Sequence, residues 1–144
     1  MGIKISSLAA DLDKEMSGEW VDIPEWPGVR LQVRSINNKN FQNAREQRIS
    51  KLIKDLGRSP YSSETGPHIA KLAATFLLLG WEGICDDDGK AIDYTPQKAM
   101  DLLSDPAMRA LTEQVIWAAT RVGSKDAEFT VDAAKNSPAP SAGT

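Results

Sequence analysis

Residues 67–80 read PHIAKLAATFLLLG, and the class of fold turns on how they are taken. Ile69, Leu72, Ala73, Phe76, Leu77 and Leu79 recur at helical spacing, with polar residues only in the first half of the run. Pro67 suits the first turn of such a helix, where the amide it lacks would have no partner, and Gly80 suits its end. The run predicts the central buried helix of a mainly α protein.

Upstream, residues 58–66 (RSPYSSETG) have the composition of a loop. Before them Asn37 and Asn38 are capping types, and Phe41, Ala44, Ile49, Leu52, Ile53 and Leu56 mark a helix near 38–56 that Gly57 stops. Its opposite face carries Arg45, Arg48 and Lys51. Residues 19–35 (EWVDIPEWPGVRLQVRS) alternate instead: Val29, Leu31 and Val33 against Arg30, Gln32 and Arg34. They predict a β-hairpin with a basic outer face, Trp20, Val21 and Ile23 supplying the partner strand and Pro24–Gly28 the turn. Residues 1–18 read as a weakly ordered segment with a short amphipathic helix near Ser7 to Met16.

Downstream, residues 81–94 (WEGICDDDGKAIDY) read as a loop or loose hairpin over Asp87, Asp88 and Gly89. Two repeats of one start signal follow, Thr95-Pro96 and Asp105-Pro106, each a capping residue before proline. They predict helices near 96–103 and 106–122, the second closed by Gly123. Residues 124–144 lack periodicity and read as a flexible tail. The expectation is a single domain over 19–123: a small N-terminal β-hairpin and about four helices.

A chain of 144 residues can bury about 68–70% of its unfolded surface, enough for a real core. The net charge of −3 hides an uneven layout. From Arg30 to Arg58 eight basic residues (Arg30, Arg34, Lys39, Arg45, Arg48, Lys51, Lys54, Arg58) stand against Glu46 and Asp55, a local balance of +6. Residues 1–29 carry −4 and 59–144 carry −5. One cysteine, Cys85, excludes an internal disulfide and points to a reducing compartment. Acids interrupt the N-terminal stretch where a secretory signal needs an apolar run, and no run approaches 18 apolar residues, so neither export nor membrane spanning is expected. The match of Gly2 and Ser6 to a myristoylation pattern is of a kind that arises by chance.

Catalysis finds little to work with. His68, the only histidine, falls in the expected first turn of a helix and is assigned a surface or packing role. Cys85 precedes Asp86–Asp88, whose charge disfavours a thiolate, so it reads as a small packed residue. Aligning Gly89 to the sixth place of a calcium loop puts Ile84 first and Thr95 twelfth, where an aspartate and a bidentate glutamate belong. Neither a phosphate-cradling glycine loop nor a paired-carboxylate motif is present. The reading is a binding protein without catalytic, cofactor or metal residues. The basic segment 30–58 permits nucleic-acid binding, and suits an acidic protein partner better. Among the four tryptophans, Trp26 sits between prolines in a turn and is the first candidate for a partner contact.

From Leu77 to Leu103 the sequence LLLGWEGICDDDGKAIDYTPQKAMDLL resembles the tail assembly chaperones of long-tailed bacteriophages. The shared elements are an apolar run into Trp81-x-Gly83-Ile84, an acidic turn Asp86–Gly89, then Tyr94, Thr95, Pro96 and a short helix with Leu102 and Leu103. Asp105-Pro106 also fits, whereas Asp93 stands where relatives often carry proline, and residues 1–29 have no counterpart. The resemblance implies a transient role in the host cytoplasm: binding the apolar helices of the tape measure protein, presenting them to tail tube subunits and leaving before the virion is complete. The expected groove lies between the central and last helices near Trp81 and Trp117, with Trp26, Arg45, Arg48 and Lys51 as further partner contacts. A core position for Trp81 is the alternative. Another phage structural or adaptor protein of the head–tail or tail, and a small nucleic-acid binder, remain as other readings.

Overall fold

A computed structural model describes residues 2–123. A 3₁₀ turn, Ile5–Leu8, leads into α1 (Leu12–Ser17), then β1 (Glu19–Asp22), β2 (Arg30–Val33), α2 (Lys39–Leu56), α3 (Ser62–Phe76), β3 (Leu78–Glu82), α4 (Pro96–Ser104) and, after a 3₁₀ turn at Pro106–Met108, α5 (Arg109–Arg121). The protein is mainly helical, with five α-helices and one three-stranded antiparallel sheet among the described residues. The flexible tail expected over 124–144 lies outside those residues.

The hairpin forms as its alternation dictates. Val21 stands opposite Leu31 and Glu19 opposite Val33, so Val21, Leu31 and Val33 enter the core together. Its outer face is basic but not bare. Arg30 stacks over the Trp20 ring at 5.0 Å and lies between Asp22 and Glu82, at 3.4 and 3.2 Å. Arg34 donates through Nε to the Met16 carbonyl at 2.9 Å.

The decisive stretch behaves differently from the single helix its spacing predicts. Helix α3 begins five residues early, at Ser62, because the Glu64 carboxylate reaches back to the Tyr61 amide at 2.8 Å while also gripping Arg58. Pro67 is therefore interior to the helix, and His68 lies beyond its first turn. The helix also ends early, at Phe76, and Leu78–Glu82 forms a third strand paired with β2. A short leucine run fits either state locally, and pairing with β2 settles it. Leu31 faces Trp81 and Gln32 faces Gly80, and a bulge at Gln32/Val33 leaves Leu79 unpaired. Gly80 is thus a strand residue and no helix stop: the Trp20 ring and Gln32 side chain crowd the space a Cβ would take.

The other helix signals act where they stand. The Asn38 side chain accepts from the Phe41 amide at 2.9 Å, Thr95 from the Lys98 amide at 3.0 Å and Asp105 from the Ala107 amide at 2.9 Å. Gly57 ends α2 in the left-handed region. Helix α3 is the hub, touching α2, α4, α5 and β3, and α5 covers the sheet. Its Val115, Ala118 and Ala119 meet Val21, Leu31, Val33, Phe41 and Leu77 in the core. Main-chain bonds tie α1 to the residues just after α5 and β2, Asp11 N–H to the Gly123 carbonyl at 2.7 Å and Ser35 N–H to the Glu15 carbonyl at 3.0 Å.

Candidate functional site

The basic middle of the sequence resolves into two parts once its partners are known. Arg30, Arg34 and Arg58 are engaged by Asp22, Glu82, the Met16 carbonyl and Glu64. Arg45 lies over the Phe41 ring at 5.6 Å and donates to Gln42 at 2.7 Å. Arg48, Lys51 and Lys54 are exposed and have no ion pair among the described residues. The usable positive charge is therefore concentrated on the second half of α2.

That half leaves the core. Of the 18 residues of α2 only Phe41 is buried, and α3 is its main packing partner. From Phe41 to Leu56 the helix advances about 22 Å at 1.5 Å per residue, carried by the antiparallel first half of α3. The turn between them is locked by Arg58, which donates to both Glu64 carboxylate oxygens at 2.8 and 3.0 Å and stacks on Tyr61 at 4.5 Å. The Arg58 guanidinium, then the Tyr61 amide, hold the Glu64 carboxyl down at about 2. The result is a rigidly turned helical arm.

The arm keeps apolar side chains in solvent. Ile49, Leu52, Ile53 and Leu56 form the i, i+3, i+4, i+7 stripe of α2, and Ile53 remains 41% exposed because no third element covers it. On one side an open depression of about 520 Å³ is lined by Arg45, Glu46, Ile49, Ser50, Thr65 and Ile69. On the other a smaller hollow lies among Arg48, Lys51, Leu52, Asp55 and His68. An apolar stripe flanked by unpaired cations can accept an amphipathic helix with acidic edges.

The six residues expected to meet a partner do not converge. Arg45, Arg48 and Lys51 share the arm. Trp26 is half-buried against the core in the β1–β2 turn, and Trp117 is half-buried on α5 under Arg121, at 5.1 Å. Trp81 is only 7% exposed. Its indole N–H donates to the Ile92 carbonyl at 2.6 Å and its ring meets Tyr94 edge-on, centroids 5.1 Å apart. The groove drawn between the central and last helices is accordingly filled by α4 and the core. Sequence reasoning used Ile53 and Leu56 only to mark the helix near 38–56 and did not name them as partner contacts. The signal available was the density of Lys and Arg around them, which a buried helix rarely carries.

The Trp81-x-Gly83-Ile84 … Tyr94-Thr95-Pro96 segment is a structural latch. Gly83 has φ +87° and sits against the main chain of Gly28 and Val29, leaving no room for a Cβ. The acidic turn closes on itself: Asp86 accepts from the amides of Asp88 and Lys90, both at 2.9 Å, and Cys85 bridges to Ala91. Tyr94 then donates its hydroxyl to the Leu78 carbonyl at 2.9 Å, and burial pushes its pKa up against the opposing effect of Arg34. Cys85 itself is exposed, and not the packed residue its neighbours suggested, because the tight turn turns it outward. No three His, Cys, Asp or Glu side chains are grouped to hold a metal, and no helix is long and apolar enough to cross a membrane, among the described residues.

The model of a family described as YdaY prophage protein matches residues 36–136, more than half of the chain. Neither the comparison with curated proteins nor that with solved structures gave a match. The chain belongs to that family and is of phage origin.

Proposed function

We propose that this member of a prophage protein family is a tail assembly chaperone and no enzyme, and that it covers the apolar helices of the tape measure protein through the α2–α3 arm while tail tube subunits are recruited. The observation that carries the reading is the exposed Ile53 and Leu56 on a helix flanked by unpaired Arg48, Lys51 and Lys54. An elongated helical partner exposes an apolar stripe that aggregates unless covered, and a preformed arm with its own stripe covers it reversibly. The cations speed encounter with an acidic partner and leave the contact sensitive to salt. The resemblance over 77–103 and the phage family support the same reading. In this account the protein acts in the host cytoplasm and is absent from the finished virion.

Co-expression with the tape measure product, followed by affinity capture, tests it. Capture should fall at least about tenfold, or 1.4 kcal/mol, with Ile53→Glu/Leu56→Glu in a chain whose circular dichroism is unchanged. Undiminished capture removes the arm from the reaction. Recovery of the chain in purified particles indicates a structural or adaptor protein of the tail instead. Retention on heparin that salt abolishes, without capture of the tape measure product, indicates a nucleic-acid binder, for which the same three cations would serve.

A further inference from the structure

Further exposed apolar residues lie near the N-terminus. Ile5 and Leu8 are three residues apart in a 3₁₀ turn, Leu12 and Met16 four apart in α1, so each pair shares a face. All four are exposed, Ile5 by 85% and Leu12 by 70%, as is Ile3 beside them. Loose apolar termini are ordinary, but the α1 part of this one is held in place. Asp11 N–H bonds to the Gly123 carbonyl, Ser35 N–H to the Glu15 carbonyl and Arg34 Nε to the Met16 carbonyl, which fixes α1 with Leu12 and Met16 facing solvent.

We propose that, while no other partner occupies the arm, copies of this chain associate with one another, the exposed N-terminal residues Ile5, Leu8, Leu12 and Met16 of one copy lying on the α2–α3 arm of the next. Two observations choose a second copy as the occupant. Charge is complementary: the N-terminal segment from Lys4 to Met16 carries Asp11, Asp13 and Glu15 against Lys4 and Lys14, the Lys14 ammonium lying 3.9 Å from Glu19, while the outer half of α2 carries Arg48, Lys51 and Lys54 against Asp55. Arm against arm would instead oppose like charges. Within one molecule, moreover, both sets of apolar residues remain exposed, because α1 is bonded at the base of the fold and the arm points its Ile53 and Leu56 away from the core. The contact joins two different surfaces, so it closes as a reciprocal two-fold pair or runs on as a chain.

Sedimentation velocity of the full chain over a concentration series tests this without any phage partner, so its outcome is separate from that of the tape measure capture. Wild type should sediment as a dimer or larger, and raised salt should weaken the association several-fold. Leu8→Glu/Leu12→Glu and Ile53→Glu/Leu56→Glu should each be monomeric alone. Mixed in equal amounts they should recover a dimer, because one intact N-terminal segment then meets one intact arm. A monomeric wild type, an arm variant that still associates by itself, or a mixture that stays monomeric overturns the proposal. Circular dichroism checks each variant's fold, and Leu8→Ser and Ile53→Ser replace any that unfolds.

Discussion

The indole N–H of Trp81 donates to the carbonyl of Ile92 at 2.6 Å, tying the last strand to the segment that leads into α4. This bond crosses the acidic turn, and with the Tyr94 hydroxyl on the Leu78 carbonyl it closes the turn from both sides. The segment from Trp81 to Pro96 is therefore a device for joining β3 to α4. Partner contact is proposed elsewhere, on the arm.

Trp81→Ala should strongly destabilise the protein, since truncating a buried aromatic costs about 3–5 kcal/mol. Trp81→Phe keeps a ring near Tyr94 and loses the donor, leaving the Ile92 carbonyl unpaired at a cost of about 1–3 kcal/mol. Urea denaturation of the two variants separates packing from hydrogen bonding. Equal stability of Trp81→Ala and wild type would contradict the core position.

Gly83 and Gly89 both have positive φ, but only Gly83 is crowded. Gly89→Ala should cost about 1–2 kcal/mol for the left-handed backbone alone. Gly83→Ala must also displace the Gly28–Val29 main chain, and should cost at least ~2 kcal/mol more. Thermal unfolding of the pair measures the difference, and a reversed order would refute the close approach.

Asn38 is buried and joins two segments, its amide donating to the Ser35 carbonyl at 2.6 Å while its oxygen caps α2. Asn38→Ala should destabilise the protein by about 2 kcal/mol, at the upper end for a cap because the Ser35 carbonyl also loses one of its two donors and keeps only the main-chain N–H of residue 38, at 3.1 Å. Asn38→Asp keeps the capping oxygen and loses the donor, and should fall between the two. Hydrogen exchange at the Phe41 amide reports the cap directly.

Acid should loosen the arm before it unfolds the core. The Glu64 carboxyl sits at about 2 in the folded chain against an ordinary 4.5. A depressed carboxyl contributes stability that is complete above its ordinary value and is lost as pH falls from there toward 2. Glu64→Gln cannot make the charged pair with Arg58 at any pH. The gap in thermal midpoint between wild type and Glu64→Gln should thus be widest near neutrality and close toward pH 2. A gap independent of pH would mean that Arg58 does not hold the carboxylate in solution.

By itself the sequence determined most features whose cause lies within a few residues, the start of α3 excepted, where Glu64 bonds the Tyr61 amide inside a stretch whose composition reads as a loop. The caps at Asn38, Thr95 and Asp105, the stop at Gly57 and the two faces of the hairpin were legible because each rests on a side chain bonding its own backbone or on simple alternation. Tertiary structure alone decided the rest. The run Leu77–Leu79 has no local preference that survives the offer of unpaired amides along β2, so the strand appears only once that edge is present. Which cations remain available depends on partners as distant as Arg30 and Glu82, 52 residues apart. The same holds for Ile53 and Leu56: their spacing promises a buried face, but burial needs a neighbour, and the chain folds without placing one there.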